Sequence, residues 1–352
     1  MCELVGIESV NPDLVASGSG ESAIARFVAS WLGDCGCAVE IVEPKPGRPS
    51  VVAVVRGSGG GRSLMLNAHM DTVGGGGMTQ PFTPQVRDGR VYGRGAYDMK
   101  GSLAAIMLAA REASRLNLRG DVIVTAVADE EVASMGTAAV LERFSADFGL
   151  LTEPTELRLC VAHKGFVWIE VETRGVAAHG SRADLGVDAI AHMGSVLSGV
   201  LELDRRLRTG PRHPLLGTGS IHASAIEGGG EMSTYPDRCV ARFERRTVPG
   251  ENGASVLREF EGSSARVLLE RSPSEVSPDD QISRAVSEAA QSREAIGVPY
   301  WMDMALMNEA GIPTVCFGPA GEGEHADVEW VDLASIERCV EVYLSVARRL
   351  CG

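Results

Sequence analysis

Two histidines and six acidic residues, spread over most of the chain, sit where folding could gather them into one site. His69 closes the apolar run SLMLNAHM (63–70), with Asp71 two residues on. The run DVIVTAVA (121–128) leads straight into three adjacent carboxylates, Asp129, Glu130 and Glu131. Glu153 follows FGLLT (148–152), and His325 follows TVCFG (314–318) after a short glycine-rich loop. Asp98 lies in YGRGAYDMKG, just ahead of the helical run 101–118. Like charges side by side repel, so carboxylates at the end of a buried strand call for a cation. Imidazole nitrogen plus carboxylate oxygen, with no thiolate required, suits zinc, cobalt or manganese better than calcium. His69, Asp98, Glu131, Glu153 and His325 make five ligands, one too many for a single open catalytic ion. If Asp98 bridges two ions, each has three protein ligands and room for a shared water; two-metal hydrolytic sites hold their ions about 3.5–4 Å apart. Glu130 is then left beside the metals but unbound, as a general base must be.

Plainer readings exist for single residues. Asp98 could cap a helix at Met99–Lys100, and Glu130 and Glu131 could be first-turn acids favoured by a helix dipole. Their joint placement at strand ends favours the metal reading. His192, His213 and His222 read as structural or surface histidines.

The elements that must position these residues alternate between strand and helix. SAIARFVASWLGDCG (22–36) and GSLAAIMLAAREASRLNL (101–118) have helical apolar spacing, and TAAVLERF (137–144) is helical. SVVAVVRG (50–57), 63–70, 121–128 and 148–152 are β-type runs, the first two separated by the turn composition GSGGGR. Continuous apolar strands alternating with helices predict a parallel-rich mixed sheet flanked by helices on both faces, an α/β catalytic domain. In such sheets ligands bind outside the carboxyl ends of the strands, where His69, Glu130, Glu131 and Glu153 fall. The character changes near Lys164: FVWIEVETRG (166–175) alternates, a helix follows at 187–207, and 239–248 and 265–272 read as strands. This predicts an inserted α+β domain over 164–272 between catalytic segments 1–163 and 273–352. The buried pattern then returns, with helices near 281–293 and 301–310, strand 314–318 and a last helix at 333–350.

Composition excludes several classes. A net charge of −14 argues against nucleic acid, which wants a basic face. There is no run of about eighteen apolar residues, hence no membrane span. The N-terminal MCELVGIESVNP lacks the basic start and apolar stretch of a signal peptide. The eight cysteines are scattered, and Cys35 and Cys37 are too close for an ordinary bridge, which fits reduced thiols in the cytoplasm. Glycine runs at 59–61, 74–77 and 228–230 lack a full phosphate-loop pattern and read as turns or mobile loops.

HMDT (69–72), YGRGAYDMKG (92–101), DEE (129–131), TEPT (152–155), AAHGSRADLG (177–186), YPDRC…RRTVPGE (235–251) and GPAGEGEHADVEWV (318–331) occur in order. Together they resemble the dinuclear zinc amidohydrolase and peptidase family of acetylornithine deacetylase, succinyl-diaminopimelate desuccinylase, aminoacylase and carboxypeptidase G, over nearly the whole chain. The resemblance implies that His69 and Glu153 bind one metal, that Glu131 and His325 bind the second, and that Asp98 bridges through a cis Asp98–Met99 peptide. It implies that Asp71 orients His69 and that Glu130 is the base. The inserted domain becomes a lid and dimerisation domain, its His179 serving the oxyanion, often from the other subunit. Arg246 matches an arginine that grips the substrate carboxylate, a role suited to its planar fork. Ser233 stands where many relatives carry a substrate-contacting Asn, and Glu324 adds negative charge beside His325 that favours cationic side chains. The expectation is a cytoplasmic homodimer hydrolysing a small N-acyl amino acid with two divalent ions, zinc first, cobalt or manganese otherwise. A dipeptidase or carboxypeptidase on the same centre is the alternative within enzymes. A catalytically silent binding relative is the alternative outside them, opposed by the intact Glu130 and ligands.

Overall fold

The computed structural model describes residues 1–352 and divides into two compact units. The first comprises Met1–Val161, Val276–Ile296 and Met302–Gly352; the second comprises Ala162–Glu275 and Gly297–Trp301.

In the first unit the main sheet runs in the order Ala38–Val42, Ser50–Val55, Val122–Val127, Leu64–His69, Phe148–Leu151, Thr314–Cys316 and Leu159–His163, the last of these crossing the unit boundary. Leu64–His69 pairs parallel with both Val122–Val127 and Phe148–Leu151, and Thr314–Cys316 pairs parallel with Phe148–Leu151. Antiparallel strands close both sides, so the sheet is mixed with a parallel centre. Strands 50–55, 64–69, 122–127 and 148–151 are buried at every position, which is why they read as unbroken apolar runs. Alternate residues point to opposite faces. Val51, Ala53, Leu64, Leu66, Val122 and Val124 join a core with helices Ser22–Asp34, Gly101–Ala113 and Leu333–Cys351. Val52, Val54, Met65 and Ile123 pack on the other side with Val140 and Met307, from helices Met135–Leu141 and Met304–Glu309. The parallel strands share one direction, so the loops leaving His69, Val127, Leu151 and Cys316 emerge on one edge.

A small sheet of Gln85–Arg87, Arg90–Tyr92, Trp330–Asp332 and Gly321–Glu322 carries the loops around Asp98 and His325. Its strands, two or three residues long, leave no periodic trace in the sequence. The glycine run 74–77 is a built loop rather than a free one: Gly77 N–H donates to Asp327 at 2.8 Å, and a Cβ on Gly76, whose φ is +56°, would lie 2.9 Å from an Asp327 carboxylate oxygen.

The second unit holds a four-stranded antiparallel sheet in the order Ser220–Gly228, Arg238–Thr247, Gly165–Arg174 and Ser264–Arg271. Helix Ala189–Thr209 links the third of these to the first, and Gly253–Arg258 links the second to the fourth. Each helix is capped by a side chain: Asp188 accepts from Ile190 and Ala191, and Asn252 forms a capping box with Ser255. Strand 220–228 escapes a sequence reading because residues 222–228 are all exposed and carry no alternation. No helix is long and apolar enough to cross a membrane.

Candidate metal centre

Strand ends and the loops beside them bring His69, Asp98, Glu131, Glu153 and His325 together. Two groups of potential ligand atoms lie mutually within 4.8 Å: His69, Asp98 and Glu153, and Asp98, Glu131 and His325. Asp98 belongs to both and turns a different oxygen to each. Its Oδ1 is 2.9 Å from His69 Nε2, and its Oδ2 is 3.3 Å from His325 Nε2. His69 Nε2 lies 3.7 Å from Glu153 Oε1, and His325 Nε2 lies 3.1 Å from Glu131 Oε2. Asp98 is not a helix cap: it lies in the irregular turn Ala96–Lys100 with non-helical backbone angles, and the Asp98–Met99 peptide is cis. Nor are Glu130 and Glu131 first-turn residues, since the next helix begins at Met135.

The donor set fits divalent cations. Glu131 Oε1 and Glu153 Oε1 are buried oxygens with no hydrogen-bond partner in the protein. An unsatisfied buried carboxylate oxygen is costly, and a metal ligand is one of the few roles that relieves it. The electrostatics agree. Burial raises the carboxyls of Glu130, Glu131 and Glu153, and neighbouring carboxylates (Glu153 for Glu130, Asp98 for the other two) push them further. Burial opposes the charging of His69, but Glu153, Asp98 and Asp71 outweigh it and raise its pKa well above the usual range. His325 is raised to about 10 by its hydrogen bonds to Asp98 and Glu131. Asp98 is held low, because the two histidines outweigh its burial. The cluster thus lacks positive charge and gathers what protons it can.

Glu130 belongs to neither group; its Oε2 is 4.0 Å from His69 Nε2 and its side chain is partly exposed. Asp71 meets His69 through its main chain: His69 Nδ1 hydrogen-bonds to the Asp71 carbonyl at 2.9 Å, while the carboxylate stands 3.6 Å away. Its carboxylate instead accepts the backbone N–H groups of Glu130 and Glu131. Asp129, at φ +69°, accepts from Asn11 at 3.0 Å and Arg48 at 2.9 Å. Arg48 is itself buried and paired with Glu21 at 2.6 Å. Asn11 also donates to Asp71 at 2.8 Å. Asp303 is fully buried, accepts from Thr137, and is pushed up to about 6 by burial. The sequence reading misses Asn11, Arg48, Arg94, Asp303 and Glu329. Only Arg94 and Glu329, lying inside quoted motifs, could have been noticed.

In the second unit His179 is exposed, hydrogen-bonds to Ser181 at 2.8 Å and forms a backbone bridge with Thr234. Ser233, next to it, accepts from Gly180 N–H at 2.7 Å. Arg246 pairs with Glu244 at 2.7 Å and lies over the Phe166 ring at 5.1 Å. His192 and His222 are exposed, and His213 bonds Glu275 at 3.1 Å; none joins a ligand group. Cys35 and Cys37 are free thiols outside both groups.

Known proteins resemble this chain in sequence and in fold. The chain is 29% identical to acetylornithine deacetylase of Proteus mirabilis, covering 99% of this chain and 95% of that protein. It is 28% identical to an N-formyl-4-amino-5-aminomethyl-2-methylpyrimidine deformylase of Halalkalibacterium halodurans, covering 93% and 88%. The fold superposes on the aminopeptidase PepT of Bacillus cereus with a TM-score of 0.79 at 19% identity, covering 100% and 97%. It superposes on the YXEP protein of Bacillus subtilis, a dinuclear metal-binding peptidase, with a TM-score of 0.74 at 19% identity, covering 99% and 96%. The profile of peptidase family M20/M25/M40 matches residues 65–349. With that match spanning most of its length, the chain belongs to peptidase family M20/M25/M40.

Proposed function

We propose that this metal-dependent hydrolase cleaves the amide bond of a small N-acyl amino acid, in the manner of acetylornithine deacetylase or succinyl-diaminopimelate desuccinylase. The observation that carries the reading is Asp98, whose two oxygens serve two separate ligand groups while Glu130 beside them stays uncommitted. His69, Asp98 and Glu153 would hold one ion, and Asp98, Glu131 and His325 the other. Bound there, two divalent cations, zinc in preference to cobalt or manganese, supply Lewis acidity toward the amide carbonyl and toward water. Glu130 takes the proton of the attacking water and returns it to the leaving amine. Asp71 holds the backbone of Glu130 and Glu131 and, through its carbonyl, the ring of His69.

Arg246 is assigned to the substrate carboxylate, His179 to the oxyanion and Ser233 to a neighbouring substrate contact. Exposed Glu324, next to His325, favours a cationic side chain. The second unit, read as a lid, carries a homodimer contact. Strand Ser220–Gly228 lies at the edge of its sheet and is exposed from His222 onward, and a two-fold partner would cover such an edge. The protein is read as cytoplasmic.

The test is a hydrolysis screen of N-acetyl and N-succinyl amino acids and of dipeptides, with zinc, cobalt or manganese added to metal-stripped protein. Turnover of an N-acyl amino acid, best with a cationic side chain, is expected. Faster turnover of dipeptides would replace the reading with a peptidase, and no turnover of any would leave a binding protein.

A further inference from the structure

His325 is the ligand whose own surroundings hold it least. Its side chain is 54% exposed, against 18% for Asp98, 8% for Glu153, 6% for Glu131 and 1% for His69. Its backbone is at φ +60°, off any strand or helix. Packing around the ring therefore does not fix it, and the loop beneath must.

That loop is tied down by one buried ion pair. Arg94 and Glu329 are each 1% exposed, and Arg94 Nη1 donates to Glu329 Oε2 at 2.8 Å. Arg94 also reaches into the His325 loop, its Nη2 donating to the Ala326 carbonyl at 2.9 Å. Its Nε donates to the Gly74 carbonyl at 2.9 Å, holding the loop that follows Asp71. Glu329 works in the opposite direction. Its Oε2 accepts Gly95 N–H at 2.9 Å, and its Oε1 accepts Tyr97 N–H at 2.8 Å and Asp98 N–H at 3.1 Å. The arginine from the Asp98 segment thus holds the His325 segment, and the glutamate from the His325 segment holds the backbone of Asp98. His69 and Glu153 do not depend on this pair, because both stand at ends of central parallel strands. Charge-assisted bonds to backbone groups are short and directional, so a pair that makes five of them acts as a spacer and not only as glue.

We propose that the Arg94–Glu329 pair is a positioning device for the second ion: it sets the separation of Asp98 from His325 and so governs the affinity of the His325 half of the centre, where two of three ligands hang on the pair, more than that of the His69 half, where only Asp98 does. This rests on the dinuclear reading above.

Metal binding tests it directly. Glu329→Gln keeps the length of the side chain but turns an N–H₂ group toward backbone donors. Arg94→Lys keeps the charge beside Glu329 but cannot reach both the Gly74 and the Ala326 carbonyl. Metal-stripped wild type and variants are titrated with zinc by calorimetry against a competing chelator, with circular dichroism to follow folding. Two equivalents are expected in wild type. In the variants one equivalent should weaken by no more than about threefold while the other weakens at least about tenfold, the size expected for residues supporting a metal ligand. Unchanged affinity for both equivalents in a folded variant would overturn the proposal, as would equal weakening of both. If Glu329→Gln does not fold, Arg94→Lys decides alone, and loss of fold in both would make the pair a folding element and end the proposal. Wild type binding fewer than two equivalents would instead refute the dinuclear reading itself.

Discussion

The carboxylate of Asp71 accepts the backbone N–H of Glu130 at 3.1 Å, and that of Glu131 at 3.3 Å, while its nearer oxygen stays 3.6 Å from the ring of His69. One buried side chain therefore anchors the backbone of both Glu130, the proposed base, and Glu131, a proposed metal ligand. In Asp71→Asn an amide N–H₂ must face either a backbone N–H or the N–H₂ of Asn11. We expect metal content to survive and kcat to fall about 10²-fold, since misplacing a reacting group by about an ångström costs that much. Steady-state kinetics with metal analysis checks this; a variant with normal kcat would make the anchor irrelevant to the base.

Glu130→Gln keeps shape and removes the proton acceptor. Fold and metal content should persist while kcat drops by at least about 10²-fold, the usual size of a general-base contribution. Wild-type turnover in this variant would move the role to another residue.

His163 predicts a pH dependence away from the metal centre. Its ring is buried, packs edge-on against Trp301 and hydrogen-bonds to the Lys164 carbonyl at 2.9 Å. Burial lowers its pKa from the ordinary 6.5 to about 4. The unfolded chain thus takes up a proton at a pH where the folded chain does not. The contribution to stability is full above pH 6.5, is lost as pH falls from 6.5 to about 4, and changes no further below. The total is about 3 kcal/mol. Urea denaturation at pH 7 and pH 4.5 should show a larger loss in wild type than in non-titrating His163→Gln; parallel losses would mean that His163 is already neutral in the unfolded chain or charged in the folded one.

Assembly is tested by mixing. Sedimentation should give a homodimer held through residues 164–272. His179→Ala should lower kcat more than it disturbs metal binding. Co-expressed His179→Ala and Glu130→Gln subunits should regain part of the activity, because a mixed dimer has one site with both defects and one with neither. A fully active monomer, or no recovery on mixing, would confine His179 to its own subunit or remove it from the reaction.

The sequence by itself determined the buried elements, the ends of the central strands and the residues that could serve as metal ligands. Strands 50–55, 64–69, 122–127 and 148–151 are buried on both faces, so their composition had to be apolar throughout and their ends had to show. A metal site likewise restricts residue type, so His69, Asp98, Glu131, Glu153 and His325 stood out as candidate ligands before any geometry was known. Strand 220–228 left no such mark, because an exposed edge strand has no buried face to impose a pattern. Only the tertiary structure decided which oxygen of Asp98 meets which histidine, that the Asp71 carboxylate serves Glu130 and Glu131, and that Arg94 finds Glu329 235 residues away. The reason is that a hydrogen-bond partner is chosen by which loops the strand order brings side by side, and an acidic or basic side chain reads the same in sequence whether it binds a metal, anchors a backbone or faces water.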